Sequence, residues 1–193
     1  MHNWKNLLFI ILISFLCCKQ NVYKNSKYGY KVEFPENWIA INSNIDRSKQ
    51  EEFKKKIESE NGLVIYKNVD VAFYNPLSSP PVYDIISIST IRKVINIDNV
   101  LKNKKEIDYT LEYQLREFFS DVTMVYSDFP KYRNGKAYRV DFVFKYKNIN
   151  CYASTVIFTN SLFYSNMITA ISRAENQFEL IQLRDRIINS FRN

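Results

Sequence analysis

Few side chains in this sequence are of types that catalyse acid–base, nucleophilic or metal chemistry. The single histidine is His2, and the three glycines stand apart at Gly29, Gly62 and Gly135. The chain therefore has no GxGxxG motif, no P-loop, no nucleophile elbow and no Cys/His cluster with metal-ligand spacing. We predict no catalytic residue, no cofactor-binding residue, no metal ligand and no cofactor, and hence a protein that is not an enzyme.

Arg139 and Asp141 form the most prominent pair of opposite charges, because alternate residues of a strand share one face. Ion pairs shift the pKa values of their members whether they are catalytic or structural. We interpret this pair as a structural one. We interpret two further charged groups as solvated helix faces, since charged side chains are mostly exposed. They are Glu51-Glu52 and the run Arg184-Asp185-Arg186.

Two of the three cysteines, Cys17 and Cys18, lie at the end of an apolar stretch that begins at Leu7. The run Phe15-Leu16-Cys17-Cys18 resembles the bacterial lipobox, in which the acylated Cys follows an apolar and a small residue. Cys18 is the predicted site of lipidation, because Cys17 then supplies the small residue, and Cys17 is the alternative. An ordinary secretory signal with two chance cysteines is the other interpretation.

The apolar stretch, residues 7–16, is shorter than the roughly 20 residues that a spanning helix needs. Lys5 precedes it and Lys19 follows it, as is typical of a secretory signal. We therefore predict a lipoprotein signal peptide at 1–17, a tether at 18–26 and a single globular domain at 27–193. Loss of the signal peptide would leave no histidine to act as general base or metal ligand.

Acylation of Cys18 predicts a protein that its N-terminal acyl chains hold on a membrane, since each buried CH₂ contributes about 0.8 kcal/mol. The predicted location is the bacterial cell envelope, and Lys19 in place of Asp favours the outer membrane if the cell has one. The net charge is +7. Its basic residues are scattered in short groups, so we predict no nucleic-acid partner. Weak attraction to an anionic membrane surface is left open.

Cys151 has no partner for an internal disulfide once Cys17 is removed and Cys18 is acylated. It begins an apolar run, CYASTVIF. We predict a small buried hydrophobe rather than a reactive thiol.

Apolar periodicity predicts a mixed α and β chain. Strands are predicted at 27–35, 38–41, 63–66, 70–74, 83–94 and 121–126, followed by a meander of three at 137–147, 151–159 and 162–172. Helices are predicted at 45–59, 98–119 and about 172–191, the last opened by a capping box from Ser172 to Glu175. The predicted core-facing stripes of the last two helices are Ile107, Leu111, Leu115 and Phe118, and Phe178, Ile181, Ile188 and Phe191.

An early Gly29-Tyr30, Phe34-Pro35 and Trp38, with a late Asn189-Ser190-Phe191, resembles the PsbP/Mog-like superfamily. Its members include the extrinsic P subunit of photosystem II, the Ran-binding Mog proteins and bacterial envelope lipoproteins of the DcrB type. The resemblance covers residues 28–192 and implies an α/β (α+β) fold, an α/β/α sandwich with a central, mainly antiparallel sheet flanked by helices. It implies no common active site and transfers no functional residue.

Two functions remain open at this point. The first is a non-enzymatic, lipid-anchored cell-envelope protein that binds or scaffolds another envelope protein. The alternative is a small-ligand carrier or sensor with an aromatic-lined pocket, suggested by the 16% aromatic content. An exposed apolar patch would favour the first, and a deep apolar pocket of roughly several hundred Å³ would favour the second.

Overall fold

An antiparallel β-sheet of eight strands forms the central layer of the computed structural model, which describes residues 20–159 and 162–192. The strands are β1 (Gln20–Asn25), β2 (Tyr30–Pro35), β3 (Ile39–Ile41), β4 (Val71–Tyr74), β5 (Ile85–Ile91), β6 (Ser120–Asp128), β7 (Lys131–Tyr132), β8 (Gly135–Tyr146), β9 (Ile149–Thr159) and β10 (Ser165–Arg173). In space the sheet runs β3-β4-β5-β10-β9-β8-β6, and β7 pairs with β8. Strands β1 and β2 form a separate hairpin.

Helices cover both faces of this sheet. They are α1 (Arg47–Ser59), α2 (Ile97–Lys102), α3 (Lys104–Leu115) and α4 (Gln177–Ser190). One face packs against α1 at the β3–β4–β5 side and against α2 and α3 at the β8–β6 side. The other face packs against α4 and the β1–β2 hairpin. The predicted α/β/α sandwich with a mainly antiparallel sheet is therefore confirmed.

The β8–β9 hairpin follows directly from its sequence. Alternation in β8 places Tyr138, Phe142 and Phe144 on one face, where they are buried. Lys147 and Asn148 form a two-residue loop, and both have positive φ, at 49° and 65°. Such a loop matches the twist of the strands that it joins, so the pairing register is well specified.

The core on the α4 side is rich in stacked aromatic rings. Tyr30 stacks on Phe191 with ring centroids 4.9 Å apart, and Phe34 stacks on Phe73 at 4.5 Å. Such pairs contribute about 0.5–1.5 kcal/mol beyond the burial of their surface. The first pair joins β2 to the residue that follows α4, so the chain's two described ends pack together, and the second joins β2 to β4.

The predicted tether at 18–26 needs a correction, because residues 20–25 form strand β1. All six pair with β2, from Gln20 opposite Pro35 to Asn25 opposite Tyr30. The segment is mostly polar, yet backbone pairing needs only an available strand edge, and Tyr23 supplies a buried anchor. Only Cys18 and Lys19 are left for a tether between the predicted signal peptide and the folded domain.

Three local predictions were also wrong. Residues 63–66 do not form a strand, and a 3₁₀ turn begins at Tyr66. The predicted helix at 98–119 is two helices that meet at Asn103, and it ends four residues early. The capping box does not form, because the Ser172 hydroxyl donates to the neighbouring Arg173 carbonyl and a 3₁₀ turn precedes α4.

Candidate functional site

The sheet face beneath α1 and α3 is incompletely covered along β9 and β10. The register pairs Thr155 with Thr169 and Ile157 with Met167, and all four side chains are half-buried. All four point to the same face of the sheet, because residues two apart in a strand share a face and paired residues of neighbouring strands lie side by side. The gap between this bare strip of sheet and α3 is a groove, called here the α3 groove.

The α3 groove has a volume of about 290 Å³. Its lining comprises Leu111, Gln114, Leu115, Phe118, Phe119, Val122, Val140, Phe142, Phe144, Ala153, Thr155, Ile157, Met167, Thr169 and Ile171. The hydroxyls of Thr155 and Thr169 bond to each other at 3.0 Å, so they already satisfy part of their bonding capacity. The groove therefore presents a carbon surface that favours an apolar group over a charged one.

Helix α3 forms the outer wall of the groove, and none of its residues is buried. Tyr109 and Tyr113 stack with ring centroids 6.4 Å apart on its solvent side, 72% and 59% exposed. Phe118 follows the helix and is 75% exposed, although its spacing predicted a core position. The helix ends at Leu115, and the turn after it carries Phe118 to the groove's rim.

The start of α3 is fixed to the sheet by Asp108. Its carboxylate accepts from Lys104 Nζ at 2.6 Å, from Ser127 Oγ at 2.9 Å and from the Tyr138 hydroxyl. Burial alone would raise the pKa of Asp108, but the bonds from Lys104, Tyr138 and Ser127 outweigh it and lower that pKa. These bonds hold α3, the outer wall of the groove, against the sheet. Asp108 itself does not line the groove.

The predicted Arg139–Asp141 pair forms on the opposite face, beneath α4. Arg139 Nε donates to Asp141 Oδ1 at 3.0 Å, and Asp141 also accepts from the Ser154 hydroxyl. Ser154 in turn bonds to Arg184 of α4. Asp141 and Arg184 are 1% and 0% exposed, whereas the Arg139 side chain is 21% exposed. The bonds that link Asp141, Ser154 and Arg184 are therefore buried and join α4 to the sheet, which supports a structural role for the pair.

The burial of Arg184 corrects the prediction of a solvated face for residues 184–186. Arg184 is four residues after Leu180 and three before Ile187, and both of those are buried. That spacing places all three on one side of the helix. Arg184 Nε and Nη2 also donate to Asp185 Oδ1 at 2.9 and 2.7 Å. Phe178, which was predicted to face the core, is instead 70% exposed.

Cys151 is fully buried, as predicted, and burial raises the pKa of its thiol to about 11. Its Sγ lies 3.3 Å from the Ile149 carbonyl oxygen.

Cys17 and Cys18 lie outside the described residues, so lipidation stays a prediction. Over 20–159 and 162–192, no helix is long and apolar enough to cross a membrane, and no group of three or more His, Cys, Asp or Glu side chains could hold a metal ion.

Comparison with known proteins identifies the fold. Neither a protein-family profile nor a curated protein sequence matches this chain. Cyanobacterial PsbP (CyanoP) from Synechocystis sp. PCC 6803 is 12% identical, with a TM-score of 0.58, and the match covers 91% of this chain and 92% of that one. The Ran-binding protein Mog1p of Saccharomyces cerevisiae is 9% identical, with a TM-score of 0.52, covering 91% and 95%.

LpqN of Mycobacterium tuberculosis, described as involved in cell envelope biogenesis, is 6% identical with a TM-score of 0.49, covering 90% of this chain and 89% of LpqN. CyanoP and Mog1p show that this chain has a PsbP/Mog-like fold, as its resemblance predicted. At such identities the likeness concerns the fold and assigns no activity.

Proposed function

We propose that this chain is a non-enzymatic, lipid-anchored protein of the bacterial cell envelope that binds another envelope protein through the α3 groove. The observation that carries the proposal is the groove's carbon lining together with the exposed aromatic rings of Tyr109, Tyr113 and Phe118 on its wall. Exposed apolar patches mark interaction sites, and aromatic residues provide much of the binding energy of protein interfaces.

Two further points support the proposal. Cys18 follows a short apolar segment with a cationic start, which favours secretion and acylation. Mog1p, which shares the fold, is a Ran-binding protein, so this architecture serves protein binding there.

The alternative is a carrier of a small apolar ligand, and the groove also bears on it. Its volume of about 290 Å³ lies at the lower limit of small-molecule pockets. A ligand held in the groove would leave the rings of Tyr109 and Tyr113 uncovered, because neither residue lines it. A protein partner that spans the groove and α3 would cover both, so the exposed pair favours protein binding.

Photocross-linking in cells that produce the full chain tests this proposal. p-Benzoylphenylalanine in place of Phe118 should cross-link to one discrete envelope protein. The matched control is the same replacement at Phe178, which is 70% exposed on α4 and does not line the groove. Position 178 should give no such product. Equal products at both positions, or none at 118, would refute a docking site in the α3 groove.

A further inference from the structure

A second groove lies between β2 and the C-terminal half of α4, on the other side of the sheet. This β2–α4 groove has a volume of about 840 Å³. Its lining includes Gln20, Phe34, Asn37 and Ile187, together with four charged side chains. None of the lining residues belongs to the proposed protein-binding site.

The position of Gln20 ties this groove to the membrane. Gln20 opens β1 and lines the groove. It follows the proposed acylation site, Cys18, by two residues, a span of at most about 7 Å of extended chain. The groove must therefore lie beside the lipid headgroups when the acyl chains of Cys18 are in the bilayer. A tether that reached residue 26 would have allowed roughly 25 Å of separation and any orientation.

The charged side chains that line the groove include both signs. Glu33, Glu36, Arg186 and Arg192 all line it, and within the described part of the chain none of their side chains forms an ion pair or a hydrogen bond. Guanidinium groups bind phosphate through paired, charge-assisted hydrogen bonds, and carboxylates bind ammonium groups. Two cations and two anions in one groove are complementary to a ligand that carries both a phosphate and an ammonium group.

We propose that the β2–α4 groove faces the bilayer and holds the zwitterionic headgroup of a neighbouring phospholipid. Arg186 and Arg192 bind the phosphate, and Glu33 and Glu36 bind the ammonium group. The buried side chains of Phe34 and Ile187 form the apolar floor. This inference rests on the lipid anchor of the proposed function, but it is independent of the protein partner. It assigns an orientation in which the α3 groove, across the sheet, is left free for that partner.

Photocapture of lipid tests the inference in the full lipidated chain, reconstituted in vesicles of equal parts phosphatidylethanolamine and phosphatidylglycerol. p-Benzoylphenylalanine replaces Asn37, which is exposed and lines the groove. The same replacement at Lys27, in the turn at the other end of the β1–β2 hairpin, is the positional control. Mass spectrometry should find phosphatidylethanolamine adducts at position 37 in excess of phosphatidylglycerol adducts, and no lipid adducts at position 27.

Charge variants then test the headgroup contacts. The double variant Arg186→Gln/Arg192→Gln should lower phosphatidylethanolamine capture at position 37 by about tenfold, the effect of losing a charge-assisted bond. Arg47→Gln is the matched control, because Arg47 is an exposed arginine on α1, across the sheet. It should leave capture unchanged. Free phosphate in the buffer should not compete, since the site needs both groups of a bilayer lipid.

The mass of the N-terminal peptide separates the two ways in which this can fail. A peptide without acyl chains would refute the proposed anchor and this inference with it. An acylated peptide with lipid adducts at position 27 but not at 37 would refute the inference alone. Equal capture of the two lipids, or no response to the double arginine variant, would refute a zwitterionic headgroup site.

Discussion

The two grooves lie on opposite faces of one sheet and differ in chemistry. The α3 groove has a carbon lining, and the hydroxyls of Thr155 and Thr169 bond to each other. The β2–α4 groove carries four charged side chains that have no ion-pair partner among the described residues. Burying a charge without a partner costs free energy, whereas carbon surface gains from burial in any apolar contact. The first groove therefore suits a protein's apolar side chains, and the second suits a charged headgroup beside the anchor.

The largest effect is expected from removing the anchor, which only the β2–α4 groove depends on. Cys18→Ser should abolish palmitate labelling and shift nearly all the protein out of the membrane fraction, because the acyl chains provide the attachment. Cys17→Ser should keep both. Labelling of the Cys18→Ser protein at the wild-type level would instead identify Cys17 as the acylated residue.

The next largest effect is expected at Arg184, in the middle of α4, the helix that forms one wall of the β2–α4 groove. Arg184→Ala should lower the free energy of unfolding by about 3 kcal/mol, since it empties a fully buried site and removes the bonds to Ser154 and Asp185. Urea unfolding measures this change. Arg186→Ala, two residues later and exposed, should change stability by less than about 0.5 kcal/mol. Similar losses for the two variants would contradict the structural role of Arg184.

A smaller, pH-dependent effect is expected at the wall of the α3 groove. The folded state lowers the pKa of Asp108 below its ordinary value of 3.8, so this carboxylate adds stability above that value. The contribution is lost as the pH falls through the lowered pKa. Asp108→Asn should therefore cost about 1–2 kcal/mol at neutral pH and progressively less below about pH 4. Urea unfolding of both proteins from pH 7 to pH 3 measures the difference, and a constant difference would be inconsistent with this role.

The smallest effect is expected at Cys151, which packs in the core cluster beneath α2 and α3. Burial raises the pKa of its thiol to about 11, so a thiol reagent at pH 8 should leave it unmodified in the folded protein. Full modification in urea is the control. Rapid reaction of the folded protein would mean that the sheet beneath α3 is open to solvent.

The meander of β8, β9 and β10 was predictable because its signals are local. Alternating Tyr138, Val140, Phe142 and Phe144 mark one face of β8. The connection to β9 is shorter than predicted, because the strands were expected to end at 147 and begin at 151, whereas only Lys147 and Asn148 lie between them. Strand β1 was not predictable in the same way. Its residues are mostly polar, and it forms because β2 offers an unpaired edge. Pairing across a hairpin depends on the partner's position more than on the strand's own composition.

The candidate sites were less predictable than the fold. Helical periodicity correctly placed Ile107, Leu111 and Leu115 toward the sheet, and they pack against its core cluster. It misplaced Phe118 because the helix ends at Leu115, where the 100° step between residues no longer applies. The spacing of Arg184 from Leu180 favours burial, whereas its charge favours exposure. Only the structure shows the bonds to Ser154 and Asp185 that compensate for burial of this charge.

The sequence by itself determined the strand meander, the helical segments, the near absence of histidine and the apolar leader that ends in two cysteines. These depend on residue types and on spacings of two or three to four residues, which are properties of neighbouring positions. Only the tertiary structure decided that polar residues 20–25 join a strand and that two grooves of opposite chemistry lie on opposite faces of the sheet. Those outcomes depend on contacts between segments far apart in the chain, such as β2 with α4, which no local pattern specifies.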